Sequence, residues 1–105
     1  MTRPARIAAA ARRDLRSALA WITRDNPAAA LRLREAVIRA ADRIGEHPGI
    51  GVPRPDMLPP SRRLLALPGW PYVIVTADDI DPPIILRILH GAHDLPPLLR
   101  DAAEP

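Results

Sequence analysis

Apolar residues fall at Leu15, Ala18, Leu19 and Ile22, the i, i+3, i+4, i+7 spacing that lines one face of a helix. Asp25-Asn26-Pro27 interrupts this stripe. A capping residue directly before a proline ends one helix and starts the next with Pro at its first position. Ala30, Leu33, Val37, Ala41 and Ile44 then carry a second stripe for about four turns, and Glu35 with Arg39 forms an i, i+4 pair in the favourable order. A connection this short predicts an antiparallel helical hairpin over about residues 11–46. Gly45, Pro48, Gly49 and Gly51 close it.

Beyond residue 51 the period changes. Val52 to Pro60 holds Pro53, Pro55, Pro59 and Pro60 and reads as an irregular loop. Arg62 to Leu67, Tyr72 to Ala77 and Ile84 to His90 are short runs rich in Leu, Val and Ile, each bounded by Pro, Gly or Asp. That is the signature of strands, and three in succession predict an antiparallel meander over about residues 61–91. Pro68-Gly69 turns the first pair, and Asp78-Asp79 through Pro83 makes a longer, acidic second turn. Arg3 to Ala10 fits two descriptions: Ala8 to Ala11 favour helix, whereas Pro4 and Ile7 suit a short edge strand. After Asp94, Pro96-Pro97 sets a short tail over 95–105. These elements define an α+β architecture with both helices on one face of the sheet.

At 105 residues the chain is sized for one domain, 1–105. Its 14 prolines belong at caps and turns, because 48% hydrophobic and 26% charged residues lie in the globular range. The absence of Cys excludes disulfides, a thiol nucleophile and Cys-containing zinc sites, and fits a reducing cytoplasm. No apolar run reaches the roughly 18 residues of a membrane span, and the start lacks a secretory h-region. The expectation is a soluble cytoplasmic protein. All 15 basic residues are Arg. Residues 1–47 carry ten of them against five acids, and residues 48–105 carry five against seven, so the charge of +3 splits into +5 and −2. A basic first half attracts an acidic partner or is a solvated face. With Trp21, Trp70 and Tyr72 the only aromatics, stacking platforms are scarce, and no direct sequence-specific nucleic-acid binding is expected.

Four pieces of sequence, in order, now carry a resemblance. They are Ala11-Arg12-Arg13-Asp14-Leu15, then Trp21-Ile22 with Asn26-Pro27-Ala28-Ala29, then His47-Pro48-Gly49-Ile50-Gly51, and finally Ile85-Leu86-Arg87-Ile88-Leu89-His90-Gly91-Ala92-His93-Asp94. The chain resembles the RelE/ParE superfamily of toxins from bacterial type II toxin–antitoxin modules, and is closer to the ParE branch. The resemblance implies an opening strand before the hairpin, with Ile7 directed to the core. It also implies plasmid-stabilisation-type biology, a cognate ParD-like antitoxin encoded nearby, a toxin–antitoxin hetero-oligomer, and DNA gyrase as the target. Two departures stand out: Ala9 and Ala10 replace a Ser or Thr cap, and Thr76 stands where family members commonly carry Tyr.

An mRNA-cleaving RelE-type toxin needs a base, cations for the phosphorane charge and an acid for the leaving oxygen. The inventory is thin: Arg62 and Arg63 are present, Val73 stands near a catalytic Arg position, and no Tyr or His follows near Leu98-Leu99. With the gyrase target that the resemblance implies, the reading is a poison with no catalytic residues, no cofactor and no metal site. Its alternatives are a RelE-type ribosome-dependent endonuclease and an inactive member that only forms a complex. His90 closes its strand, while His93 is a candidate basic group. Trp21 is expected to be partly buried. Trp70, at a hairpin tip between Gly69 and Pro71, is either an exposed anchor or packs over its turn. Strand alternation places Ile84, Leu86, Ile88 and His90 toward the helices and Arg87 on the open face, joined there by Arg62 or Arg63. Arg87 is an antitoxin anchor or a structural partner of Asp78, Asp79 or Asp14. Arg62, Arg63, Trp70, Arg87 and His93 form the candidate binding set for antitoxin or target.

Overall fold

The computed structural model describes residues 3–91. His93 and the tail over 95–105 lie outside the described residues. The elements run β1 (Arg6–Ile7), α1 (Ala9–Asp25), α2 (Pro27–Glu46), β2 (Val52–Pro53), β3 (Arg62–Ala66), β4 (Tyr72–Ala77) and β5 (Ile84–His90). They form a five-stranded sheet in the order β1-β5-β4-β3-β2, antiparallel except where β1 lies parallel to β5.

Local chemistry sets the hairpin. Asn26 serves both helices: its N–H donates to Ile22 O at 2.8 Å, closing α1, and its Oδ1 accepts from Ala29 N at 3.0 Å, opening α2. Pro27 follows at a position where a missing N–H costs nothing. Helix α1 starts at Ala9 on an Ala8 cap that offers no side-chain hydrogen bond, as the alanines there imply. Gly45 permits a close approach: a Cβ on it would meet Arg3 O and Pro4 Cα. The N-terminal segment lies there against α2, with Ala5 N–H donating to Ala41 O at 2.9 Å. Gly69 takes φ +81° in the β3–β4 turn, a conformation that L side chains rarely adopt.

Both helices pack on one side of the sheet. Leu33, Val37 and Ile44 from α2 and Ala11 from α1 meet Ile74, Ile85 and Ile88, all buried, with Ile7, Leu15 and Leu19 packed around them. The other side is covered too. Leu58 and Met57, in the loop before β3, close over Leu64, Val75 and Leu89.

Two expectations change here. The proline-rich loop contains β2, which pairs Val52 with Leu64 and Pro53 with Arg63. A two-residue edge strand tolerates Pro because its outer side needs no ladder N–H. The faces of β5 also differ from strict alternation: Ile85 packs with the helices and Leu86 with the opposite cluster. A bulge at Val75/Thr76 moves the pairing from Thr76–Ile85 to Val75–Arg87, so the extra residue reverses the alternation between Ile85 and Ile88.

Candidate functional site

The arginines of β3 and β5 are each tied to a carboxylate. Arg62 Nη1 donates to Asp79 at 3.2 Å and to Ser61 at 2.8 Å, while Arg63 Nε donates to Asp78 at 3.0 Å. The acidic β4–β5 turn is thereby folded back over the start of β3. Among the described residues, Arg62 Nε and Thr76 Oγ1 are buried without a hydrogen-bond partner.

By register Arg87 shares the face of Val75, Leu64 and Arg62, but its guanidinium is engaged at the edge of the sheet. Its Nε and Nη2 donate to the two oxygens of Asp14 on α1 at 2.8 and 2.9 Å, and the backbone N–H of Ile88 donates to the same carboxylate at 2.9 Å. β1 pairs with β5 only at Ile84 and Ile85, so Asp14 takes up the strand-edge donor just beyond β1. Of the alternatives open to Arg87, the geometry supplies the structural partner Asp14. The pair is 73 residues apart in sequence, which periodicity alone does not connect.

Trp70 is partly buried and packs on the main core, its backbone N–H donating to Leu67 O at 3.1 Å, which is the local packing alternative. Trp21 departs from expectation: it is 69% exposed, with the Arg24 guanidinium 5.5 Å from its ring centroid. Counting 3.6 residues per turn puts Trp21 about 110° round α1 from the middle of the Leu15, Ala18, Leu19 and Ile22 stripe, on the flank of the helix. His90 stacks edge-on with Tyr72 at 5.6 Å between ring centroids. Arg54 and Asp56 form an exposed pair, Nε–Oδ1 3.2 Å and Nη2–Oδ2 3.1 Å. That hydrogen bonding raises the Arg54 pKa and lowers the Asp56 pKa.

The helical hairpin carries a groove. Leu15, Leu19, Val37 and Ile38 floor a cavity of about 380 Å³ rimmed by Arg12, Arg16 and Arg34. A second hollow of about 360 Å³, lined by Thr23, Pro27, Ala30 and Leu31, shares Leu19 and Arg34 with it. Leu31 and Ile38 stay 61% and 50% exposed. None of these positions belongs to the sequence-based candidate set. The signal was present nonetheless: Leu31 and Ile38 are apolar residues off the core stripe of α2, and arginines flank them. An apolar floor with a cationic rim suits an amphipathic segment bearing acidic side chains.

Comparison with known proteins agrees with this architecture. Over residues 5–95 the sequence matches the family described as the ParE toxin of type II toxin–antitoxin system, parDE. A solved chain of the chromosomal ParDE toxin–antitoxin system from P. aeruginosa superposes with TM-score 0.71 at 21% identity, covering 85% of this chain and 96% of that one. No curated protein matches the sequence. With the family matched from β1 to past the end of β5, the chain belongs to the ParE toxins of type II toxin–antitoxin systems.

Proposed function

We propose that this ParE-type toxin binds DNA gyrase and poisons its DNA-cleavage complex, catalyses no reaction of its own, and is held inactive by a cognate ParD-like antitoxin. The family match over residues 5–95 carries the reading. The sheet chemistry supports the poison over the nuclease. Cleavage of RNA needs cations turned toward a phosphate. Here Arg62, Arg63 and Arg87 are each engaged with Asp79, Asp78 and Asp14, and one side of the sheet is roofed by Met57 and Leu58.

The antitoxin tail lies along the hairpin groove, its apolar residues over Leu19 and Ile38 and its carboxylates against Arg12, Arg16 and Arg34. Arg62, Arg63 and Arg87 shape the toxin that the antitoxin embraces, and toxin and antitoxin form a hetero-oligomer. Controlled expression tests the reading. The toxin alone stops growth, with filamentation and a DNA-damage response, and co-expression of the antitoxin restores it. Rapid loss of translated mRNA cut within ribosomes would replace the poison with the nuclease, and normal growth at verified levels of folded toxin would leave an inactive complex-forming member.

A further inference from the structure

Of the large apolar side chains left in water, Leu31 and Ile38 line the hairpin groove, and Trp21 does not. Its indole is 69% exposed, more than any other large hydrophobic side chain among the described residues. It stands on the flank of α1 about 110° from the middle of that stripe, so a partner in the groove leaves it uncovered. The same flank carries Arg13, Ser17 and Arg24, spaced at helical repeats from Trp21, and all three are exposed. Arg13 and Arg24 lie eleven residues apart, about 16 Å along the axis, with the indole between them. The acids near this stripe are Asp14, already engaged by Arg87 and Ile88 N–H, and Asp25 at the helix end.

Arg24 also contacts the ring. Its guanidinium lies 5.5 Å from the indole centroid, a cation–π contact that joins the ring and a cation in one patch. Tryptophan and arginine together are the residues most enriched where a few side chains carry a protein–protein contact. A nucleic-acid strand is the poorer fit, because stacking successive bases needs a run of rings and this flank of α1 has a single one.

We infer that the Trp21 flank of α1 is the toxin's second docking surface, on which Trp21 enters an apolar recess of an acidic protein surface while Arg13 and Arg24 meet carboxylates on either side. This inference rests on the reading of the chain as a gyrase poison and assigns the surface to the gyrase complex. The antitoxin groove and the target surface then occupy different flanks of one helix.

The test uses purified full-length toxin with gyrase and supercoiled plasmid, measuring the toxin concentration for half-maximal trapping of cleaved DNA. Trp21→Ala is expected to raise that concentration at least tenfold, with melting temperature and antitoxin affinity unchanged. The double variant Arg13→Glu/Arg24→Glu, built from exposed positions, is expected to do the same. Normal trapping by either variant overturns the inference while leaving the poison reading intact. Equal loss of antitoxin affinity in Trp21→Ala overturns it by assigning the indole to the antitoxin. Binding of bare plasmid DNA that Trp21→Ala abolishes overturns it in favour of a DNA surface. No trapping by the wild-type toxin overturns the poison reading, and this inference falls with it.

Discussion

Replacing Asp14 by Ala removes an acceptor that joins α1 to β5 at three points: Arg87 Nε at 2.8 Å, Arg87 Nη2 at 2.9 Å and Ile88 N–H at 2.9 Å. Both side chains are only 16% exposed, so water replaces the lost bonds poorly. Hydrogen bonds to charged groups contribute about 1.5–3 kcal/mol each, and breaking a buried pair by removing one partner costs about 3–5 kcal/mol. Residual exposure and partial rehydration of the guanidinium reduce this to about 2–4 kcal/mol for Asp14→Ala. Arg87→Ala leaves the carboxylate its bond to Ile88 N–H and access to water, and costs about 1–3 kcal/mol. A shift of about 4–8 °C per kcal/mol in a domain of this size makes either loss visible by thermal melting. The decisive quantity is the double-mutant coupling from urea titrations, expected at about 1–2 kcal/mol. Coupling below about 0.5 kcal/mol, the limit for independent sites, would refute the latch. Antitoxin affinity then separates the two roles for Arg87: a structural latch lowers the melting temperature, whereas an anchor weakens antitoxin binding in a variant that melts normally.

Gly45→Ala reverses the usual gain of about 1 kcal/mol for Gly to Ala in a helix, because the new Cβ meets Arg3 O and Pro4 Cα, both backbone. A net loss of about 1–3 kcal/mol in urea midpoint energy is expected, and a rise in stability would contradict the close approach. Asn26→Ala removes the bond to Ala29 N and should cost about 0.5–2 kcal/mol by thermal melting, with an unchanged melting temperature counting against Asn26 as the cap of α2. Ile38→Asp, at an exposed groove position, should leave folding intact and weaken antitoxin binding at least tenfold by calorimetry, while unaltered affinity would move the antitoxin elsewhere.

The hairpin and the meander were legible because their signals are local. Asn26-Pro27 marks the break, and the stripes of Leu15 to Ile22 and Ala30 to Ile44 have the period of the helices that form. Motif order over 5–95 gave the family. What was missed depends on contacts between distant residues. The bulge beside Val75 is invisible in an alternating run, and it overturned the face assignment of Ile85 and Leu86. Asp14 was one of three carboxylates open to Arg87, and the early end of β1, which exposes Ile88 N–H to it, is the tertiary feature that selects it. For Trp21, an indole next to an apolar stripe suggests burial, whereas its angle about the helix turns it to solvent. The groove escaped for the opposite reason: Leu31 and Ile38 look like spare apolar residues until both helices are placed side by side.

The central claim is most directly tested by incubating the purified toxin with gyrase, ATP and supercoiled plasmid, then denaturing the mixture and measuring linear DNA covalently held by the enzyme. The account predicts dose-dependent accumulation of gyrase-linked linear DNA that stoichiometric antitoxin suppresses. Unaltered supercoiling and no trapped cleavage at saturating, folded toxin would contradict it.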